Sequence, residues 1–278
     1  MAVYQRPARL NEALAALTAS PRVIVAGGTD FYPARVGHPL DDDILDISGL
    51  DELRRIRDEG HAWRIPALAT WTEVIEAELP PYFRGLQLAA REVGGVQIQN
   101  TGTVCGNLCN ASPAADGVPN LLALDAEVEL ASTTGTRRLK LAEFITGSRK
   151  TARRPDELVT AILVPQPVHD ARATFLKLGA RKYLVISIVM VGAVIEVDNG
   201  NVAAARIAVG ACSAVAQRLA SLERELVGKK LDARLADVAA ERHLAPLKPI
   251  DDVRGTADYR NDAALTLLRR TLGELVAA

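Results

Sequence analysis

Apolar positions in the first fifty residues follow helical spacing and then strand spacing. Leucines at helical spacing across residues 10–17 predict a short amphipathic helix. The apolar runs at residues 23–26 and 44–47 each predict a buried strand. Gly27 and Gly28 end the first of these strands, and such a pair permits positive φ and lacks the Cβ atoms that keep a ligand away. The order predicted here is helix, strand, glycine turn, strand.

The middle of the chain continues with mixed periodicities. A strand is predicted over residues 63–68, and Thr70 with Glu73 has the spacing of a capping box that begins a helix. A second amphipathic helix is predicted up to the glycines at 94 and 95. Alternation over residues 127–141 predicts a hairpin, and residues 158–164 predict another strand.

The best candidate for a domain boundary is the Pro-Gln-Pro run at residues 165–167. Beyond it, residues 175–178 resemble a strand, and two apolar runs around Asn199-Gly200 predict a strong β-hairpin. Helices are then predicted over residues 217–227 and 231–242, and from Arg260 to the end of the chain.

The composition of the chain argues against several classes of protein. The 278 residues are 49% hydrophobic and 24% charged, with a formal net charge of −1, which argues against nucleic acid binding through bulk charge. The longest uncharged run, residues 183–195, is well short of the ~20 residues of a membrane-spanning helix. No apolar signal segment follows Met1, and three cysteines form no disulfide framework, so we expect a cytoplasmic protein.

The most informative stretch covers residues 96–116, VQIQNTGTVCGNLCNASPAAD, which carries no charge before Asp116. We interpret it as a loop that lays its backbone against a large polar ligand, paired with the glycine turn at residues 26–30. The single-loop phosphate motifs G-x-G-x-x-G and G-x-x-x-x-G-K-[ST] are absent. A nucleotide would therefore be held by several loops, through amide N–H groups and hydroxyls. A tight turn without a ligand remains the alternative for Gly27-Gly28.

Other chemistry-bearing residues give weaker signals. Cys105 and Cys109 are better explained as buried thiols than as metal ligands, and the cysteine count excludes an iron–sulfur cluster in this chain. Lys177, in an apolar β-rich run, is expected to face solvent, with a ligand contact as the alternative. The basic residues at 149–154 predict a solvated loop rather than a partner surface. No catalytic acid, base or nucleophile is identified.

Four ordered motifs then resemble one family. They are VAGGTD at 25–30, QIQNTGTVCGNLCNASPAAD at 97–116, FLKLGARK at 175–182 and DVRGTADYR at 252–260. The chain resembles the FAD-binding medium subunit of the molybdenum hydroxylases, which include xanthine dehydrogenase, carbon monoxide dehydrogenase and N-heterocycle dehydrogenase types.

The resemblance implies an α+β fold. Residues 1–168 would form a two-subdomain FAD-binding domain of the vanillyl-alcohol oxidase (PCMH) type. Residues 169–278 would form a small α+β domain with an antiparallel sheet and helices, like the C-terminal domain of the CO dehydrogenase flavoprotein.

The resemblance also implies FAD-binding residues at matching positions. The first loop would contribute Ile24, Val25, Ala26, Gly27, Gly28, Thr29, Asp30 and Phe31; the second loop Thr103, Val104, Cys105, Gly106 and Asn107; and further contacts Asp116, Val159 and Lys177. Two positions depart from the family pattern. Cys105 replaces a glycine, so its side chain should crowd a backbone donor unless φ there is negative or the phosphate lies slightly further out. Val93 lies where an aromatic flavin neighbour can occur.

The function implied is electron transfer within an oxidoreductase complex. A large subunit would hold a molybdopterin-type cofactor, a small subunit [2Fe–2S] clusters, and FAD in this chain would pass electrons to NAD⁺ or another acceptor. A dimer of heterotrimers would be one assembly. The alternatives are a structural nucleotide-binding subunit without a redox role and a stand-alone flavin oxidoreductase of related fold. No catalytic side chain and no metal ligand are expected in this chain.

Overall fold

Residues 2–277 are described in a computed structural model of the chain, and they form a mixture of helices and strands. The strands are β1 (Tyr4–Gln5), β2 (Val23–Val25), β3 (Ile44–Asp46), β4 (Arg57–Asp58), β5 (Ala62–Pro66), β6 (Glu127–Ser132), β7 (Gly135–Lys140), β8 (Ile145–Gly147), β9 (Lys150–Thr151), β10 (Leu158–Pro165), β11 (Asp170–Leu178), β12 (Val189–Asp198), β13 (Asn201–Gly210) and β14 (Gln217–Arg218). The helices are α1 (Leu10–Ala19), α2 (Trp71–Glu76), α3 (Arg84–Glu92), α4 (Val96–Gln99), α5 (Val104–Asn110), α6 (Gly117–Ala123), α7 (Leu141–Phe144), α8 (Ala220–Leu226) and α9 (Ala257–Ala277).

A small parallel sheet opens the chain. Its order is β1-β3-β2, with Ile44 of β3 paired to Tyr4 on one side and to Val23 on the other. The predicted helix and both predicted strands of this region are confirmed. Because β2 ends at Val25, the glycine turn leaves the sheet at its carboxyl edge, where polar ligands are commonly bound in α/β units.

A second, antiparallel sheet has the order β4-β5-β10-β6-β7. Strand β10 lies at its centre and is buried from Leu158 to Val164, which explains its continuous apolar sequence. The β6–β7 hairpin predicted from alternation is confirmed, and the capping box of Thr70 and Glu73 begins α2. Helices α2 to α6 follow one another between β5 and β6, and they carry the glycine-containing stretch of residues 96–116.

The C-terminal part of the chain is an antiparallel sheet, β11-β12-β13-β14, covered by helices. The hairpin between β12 and β13 turns at Asn199 and Gly200, which have φ values of 48° and 77°. Positive φ at both turn residues is what a type I′ turn requires, and Asn-Gly favours it. Helix α9 packs against β11 and β12. The predicted extension of this helix to Ala278 lies outside the described residues.

Two predictions for local structure are wrong. The stretch 96–116 is not one loop, because it contains α4 and α5. Residues 231–242 are not a continuous helix either; 3₁₀ turns form at Ala233–Val238 and Glu241–Leu244. Between these turns Ala239 and Ala240 are extended, so the segment can follow the surface of α9, which it packs against.

The buried apolar residues form two large cores. The first, from Ala13 onward, fills the N-terminal sheets and their helices, and the second joins β12 and β13 to α8 and α9. A few residues of the later strands, such as Val194 and Ala208, pack into the first core. The α+β class and the small antiparallel domain are confirmed, and the exact boundary after Val168 stays a prediction.

Candidate functional site

A cleft of about 630 Å³ lies between the parallel sheet, helix α5 and strand β10. This size falls within the ~300–1,000 Å³ typical of small-molecule and cofactor sites. Both glycine-containing segments lie in its wall. Thirteen of the sixteen residues predicted as a binding site line it: Ile24, Val25, Ala26, Gly27, Gly28, Thr29, Asp30, Phe31, Thr103, Cys105, Gly106, Asn107 and Val159.

The two glycine segments touch each other directly. A Cβ atom placed on Gly27 would lie 1.9 Å from the carbonyl oxygen of Thr101 and 3.0 Å from the Cα atom of Gly102. A Cβ atom on Gly102 would in turn lie 3.1 Å from Oγ1 of Thr29. Only residues without a side chain allow this approach, so the glycines first serve contact between the two segments, and the resulting wall is made largely of backbone.

The first segment presents unused amide groups. Among residues 2–277, no carbonyl or side chain accepts a hydrogen bond from the amides of Gly27, Gly28, Thr29 or Asp30. Gly28 has φ of 68°, and its carbonyl accepts a hydrogen bond from the Tyr32 amide at 3.1 Å. Successive free amides next to a left-handed residue form the kind of concave nest that binds an anion.

The second segment begins helix α5. Oγ1 of Thr103 caps the helix by accepting from the Gly106 amide at 2.9 Å, and the Val104 amide donates to the Ala69 carbonyl at 3.0 Å. In the described part of the chain, this leaves the amide of Cys105 without an acceptor in the first turn. Oδ1 of Asn107 is also buried without a donor. Each of these groups lies on a residue of the cleft wall, so a polar ligand could satisfy them.

The cysteine that replaces a family glycine does not crowd this site. Cys105 is helical and buried, and its Sγ atom lies 3.9 Å from the Ile65 carbonyl, within the first core. Burial raises the pKa of this thiol well above its usual range, so it stays protonated. The side chain therefore packs into the protein, while the amide meets no acceptor among the described residues. Of the two alternatives given for Cys105, the structure shows the negative, helical φ.

Three predicted residues lie outside the cleft wall. Val104 is a core residue, while Asp116 and Lys177 are brought together in a buried ion pair with 2.7 Å between Oδ2 and Nζ. Ser187 donates to the other carboxylate oxygen of Asp116 at 2.6 Å. Burial raises the pKa of Asp116, and the Lys177 ammonium and the Ser187 hydroxyl oppose that shift. The expectation that Lys177 faces solvent is wrong, since its side chain is only 6% exposed.

Several cleft residues were not identified from sequence. They are Arg22, Arg35, Ile47, Trp71, Ile98, Cys109, Asn110, Arg153 and Leu158, among others. Arg153 belongs to the basic run that was predicted to be a solvated loop, yet it lines the cleft and donates to the Glu157 carbonyl at 2.8 Å. Val93 also lies in the wall. A signal for Arg22 existed, because it immediately precedes the strand that leads into the glycine turn.

Within residues 2–277, no three His, Cys, Asp or Glu side chains are grouped as metal ligands. No helix in the same range is long and apolar enough to cross a membrane.

Comparison with known families gives two matches along the chain. A family described as the FAD binding domain in molybdopterin dehydrogenase matches residues 1–167. A second family, the CO dehydrogenase flavoprotein C-terminal domain, matches residues 174–275.

Individual relatives are similar over the whole chain or over part of it. The putative xanthine dehydrogenase FAD-binding subunit of Escherichia coli (strain K12) is 31% identical over 283 residues, covering 100% of this chain and 97% of that protein. The nicotinate dehydrogenase FAD-subunit of Eubacterium barkeri is 39% identical over 189 residues, which span 66% of this chain and 63% of that protein.

Two solved structures show the same fold. The chain matches reconstituted CO dehydrogenase from Oligotropha carboxidovorans with a TM-score of 0.89 at 27% identity, covering 100% of this chain and 98% of that one. It matches quinoline 2-oxidoreductase from Pseudomonas putida 86 with a TM-score of 0.90 at 25% identity, covering 100% and 97%.

Proposed function

The chain belongs to the family of FAD-binding subunits of the molybdopterin dehydrogenases, and from that membership we propose that it binds FAD in the cleft and works as the electron-transfer subunit of a molybdenum hydroxylase. The observation that carries this proposal is a set of five amides that meet no acceptor within residues 2–277, on Gly27, Gly28, Thr29, Asp30 and Cys105. All five residues line one cleft of suitable size.

We assign the dinucleotide diphosphate to these amides. An anion there would accept hydrogen bonds from the amides of residues 27–30, which form the nest, and from the Cys105 amide in the first turn of α5. The contact of Gly27 with Thr101 holds the two sets at a constant separation, because backbone atoms cannot move apart without breaking that packing. The protein would thus offer a preorganised, uncharged cradle for the two negative phosphates.

The other cleft residues would shape the space beside the diphosphate. Val25, Trp71 and Val159 supply apolar surface, and Asn107 supplies a buried carbonyl oxygen that a hydroxyl or amine of the ligand could satisfy. When bound, FAD supplies the redox chemistry, accepting electrons from the [2Fe–2S] clusters of a partner and passing them to NAD⁺ or another acceptor. None of the cleft side chains is required as an acid or base in that role.

Asp116 and Lys177 would affect FAD binding indirectly, by holding two parts of the chain together. Asp116 precedes α6 and Lys177 lies on β11, so their ion pair joins the N-terminal part of the chain to the C-terminal sheet. We infer that this pair holds the C-terminal sheet beside the FAD-binding part, and that a direct contact of either residue with FAD requires a rearrangement of the pair.

We further propose the partners named by the family: a large subunit with the molybdenum cofactor and a small [2Fe–2S] subunit, assembled as a heterotrimer or its dimer. Relatives include subunits named for xanthine, nicotinate and carbon monoxide dehydrogenases. The organic substrate would be bound by the large subunit, since nothing in this cleft is placed to discriminate among those chemistries.

A titration of the purified chain with FAD tests the binding proposal. We expect a flavin absorption spectrum, quenched flavin fluorescence and one FAD per chain. A colourless protein that cannot be reconstituted contradicts the proposal.

The electron-transfer role is tested by adding xanthine, nicotinate or carbon monoxide to the assembled complex and to the isolated chain. Flavin bleaching in the complex alone supports the role, and bound FAD that no substrate reduces in the complex contradicts it.

A further inference from the structure

Arg22 is a partly buried arginine, and two of its guanidinium nitrogens are buried without a protein partner in the described chain. Its Nε and Nη1 atoms are buried, and no acceptor meets them among residues 2–277. Burying donors of a charged group without acceptors is costly, because the hydrogen bonds that they make with water are lost and not replaced. Arg22 lines the proposed FAD cleft, so the missing acceptors can be supplied by a ligand there.

The two other arginines of the cleft wall are already engaged. Nε of Arg35 donates to Asp42 at 2.7 Å, and its guanidinium lies 3.8 Å from the centre of the Phe31 ring. Nη1 of Arg153 donates to the carbonyls of Arg154 and Glu157, at 2.9 and 2.8 Å. Arg22 is therefore distinguished from its neighbours by donors that are both buried and unused.

The position of Arg22 along the cleft follows from its neighbours in the chain. Thr18, four residues earlier, touches Thr133 at the end of β6, with 3.2 Å between the hydroxyl oxygens. Ala131 of β6 pairs with Leu158, which begins β10 and lines the cleft. Since Arg22 and Leu158 also line the same cleft, we infer that Arg22 lies toward the start of β10, and five nearly extended residues place its Cα roughly 15 Å from that of Gly27.

The second glycine segment supplies another part of the cleft wall, which includes Val93 and Ile98. Beside it, a Cβ atom on Gly95 would lie 3.4 Å from Leu184. Leu184 and Val96 are 57% and 64% exposed, so we take this part of the cleft as the end that opens to the surface. A redox ring that exchanges electrons with partners needs such an accessible end.

We propose that Arg22 binds the adenosine half of FAD, donating from Nε and Nη1 to acceptor oxygens or nitrogens of the ribose or adenine. This inference rests on the proposed function, since it takes the diphosphate at the glycine segments and the flavin ring at the open end. The adenosine half then extends toward the start of β10, where Arg22 lies. Arg22 would act as an affinity residue, far from the reacting ring.

The test uses the full chain, freed of flavin, with Arg22→Met, Arg22→Lys and the matched control Arg54→Met. Arg54 is a half-buried arginine outside the cleft, and it donates hydrogen bonds to the Ser48 carbonyl and the Asp51 carboxylate. We expect Arg22→Met to weaken binding of both FAD and ADP by about ten- to hundredfold, measured by fluorescence quenching and competition. Arg22→Lys should recover part of the affinity, and Arg54→Met should leave it within about twofold.

Thermal melting separates a ligand contact from a structural role. Because the unliganded protein carries the unpaired guanidinium, Arg22→Met should keep or raise the melting temperature without FAD and reduce the rise that FAD produces. A lower melting temperature without FAD, with an unchanged FAD affinity, overturns the inference and leaves Arg22 structural. Weaker FAD binding with unchanged ADP binding also overturns it, by moving the contact to the flavin half. Failure of the unaltered chain to bind FAD would instead refute the proposed function.

Discussion

The α-carbon of Gly27 lies so close to the carbonyl oxygen of Thr101 that a Cβ atom on Gly27 would be 1.9 Å from that oxygen. Real Cβ atoms are not found at such a distance, so the two segments can meet only because residue 27 has no side chain. The contact joins regions more than seventy residues apart in the chain. It is the structural basis of a cleft whose wall is made by both segments.

Replacing Gly27 with alanine should therefore separate the two glycine segments. Since the obstructing atom belongs to the backbone of Thr101, relief requires a shift of the main chain rather than a rotamer change. We expect the free energy of unfolding to fall by about 1–3 kcal/mol and FAD affinity to fall at least tenfold. Urea unfolding and FAD titration measure the two effects.

A matched control is Gly273→Ala in helix α9, where nothing lies within 4 Å of an added Cβ atom. There the same change should stabilise the protein by about 0.5–1 kcal/mol, since alanine has the higher helix propensity, and FAD affinity should not change. Equal FAD affinity in the Gly27 and Gly273 variants would show that contact between the segments is irrelevant to binding.

Replacing Gly28 with valine should abolish retention of FAD while leaving the core intact. Residue 28 has φ of 68°, which a β-branched residue adopts at a cost of ~1–3 kcal/mol, and its Cβ atom would also lie 2.6 Å from the Tyr32 ring. Asparagine tolerates positive φ better, so Gly28→Asn should retain more FAD than Gly28→Val. Flavin content after gel filtration is the measurement, and normal content in the valine variant would mean that the first segment does not hold the ligand.

Replacing Lys177 with methionine should leave the Asp116 carboxylate buried without its ammonium partner. Breaking a buried pair from one side typically costs ~3–5 kcal/mol, so we expect a loss of that size in urea unfolding. The double variant Asp116→Asn/Lys177→Met should recover much of it, because no charge then remains buried. Lys140→Met, at an exposed position of β7, is the control. A loss below about 1 kcal/mol for Lys177→Met would show that water reaches the pair.

Glu157 should contribute an acid-dependent part of the stability. Arg137 donates to both carboxylate oxygens, at 2.6 and 2.9 Å, and these bonds hold the pKa of Glu157 below its ordinary value of 4.5. Because the folded-state pKa is the lower one, the stabilisation is fully present above about pH 4.5 and is lost as the pH falls through the folded-state pKa.

Glu157→Gln should therefore lower the free energy of unfolding at pH 7 by about 1.5–3 kcal/mol and flatten its dependence on pH below about 4.5. Urea unfolding at a series of pH values checks both effects. If the unfolding free energy of the variant depends on pH in the acid range as that of the unaltered protein does, other carboxylates cause this dependence.

Much of the architecture was predictable because it depends on local chemistry. The capping box of Thr70 satisfies amides within one turn, and Asn199-Gly200 supplies the positive φ values of a hairpin turn. Gly27 and Gly28 also identified the first segment, because two adjacent residues without side chains indicate that the backbone there approaches another group closely. Where periodicity was strong, as in β12 and β13, the strands formed as predicted.

The sequence alone determined the two glycine segments and the family resemblance, because these follow from turn chemistry and motif order, and the resemblance in turn implied the α+β class. Only the tertiary structure decided that Lys177 is buried against Asp116, that the thiol of Cys105 points into the core, and that two buried donors of Arg22 meet no acceptor among residues 2–277. Each of these depends on which distant element packs against a side chain. A buried charge or thiol is recognised by its neighbours in space, and residue spacing along the chain does not specify them.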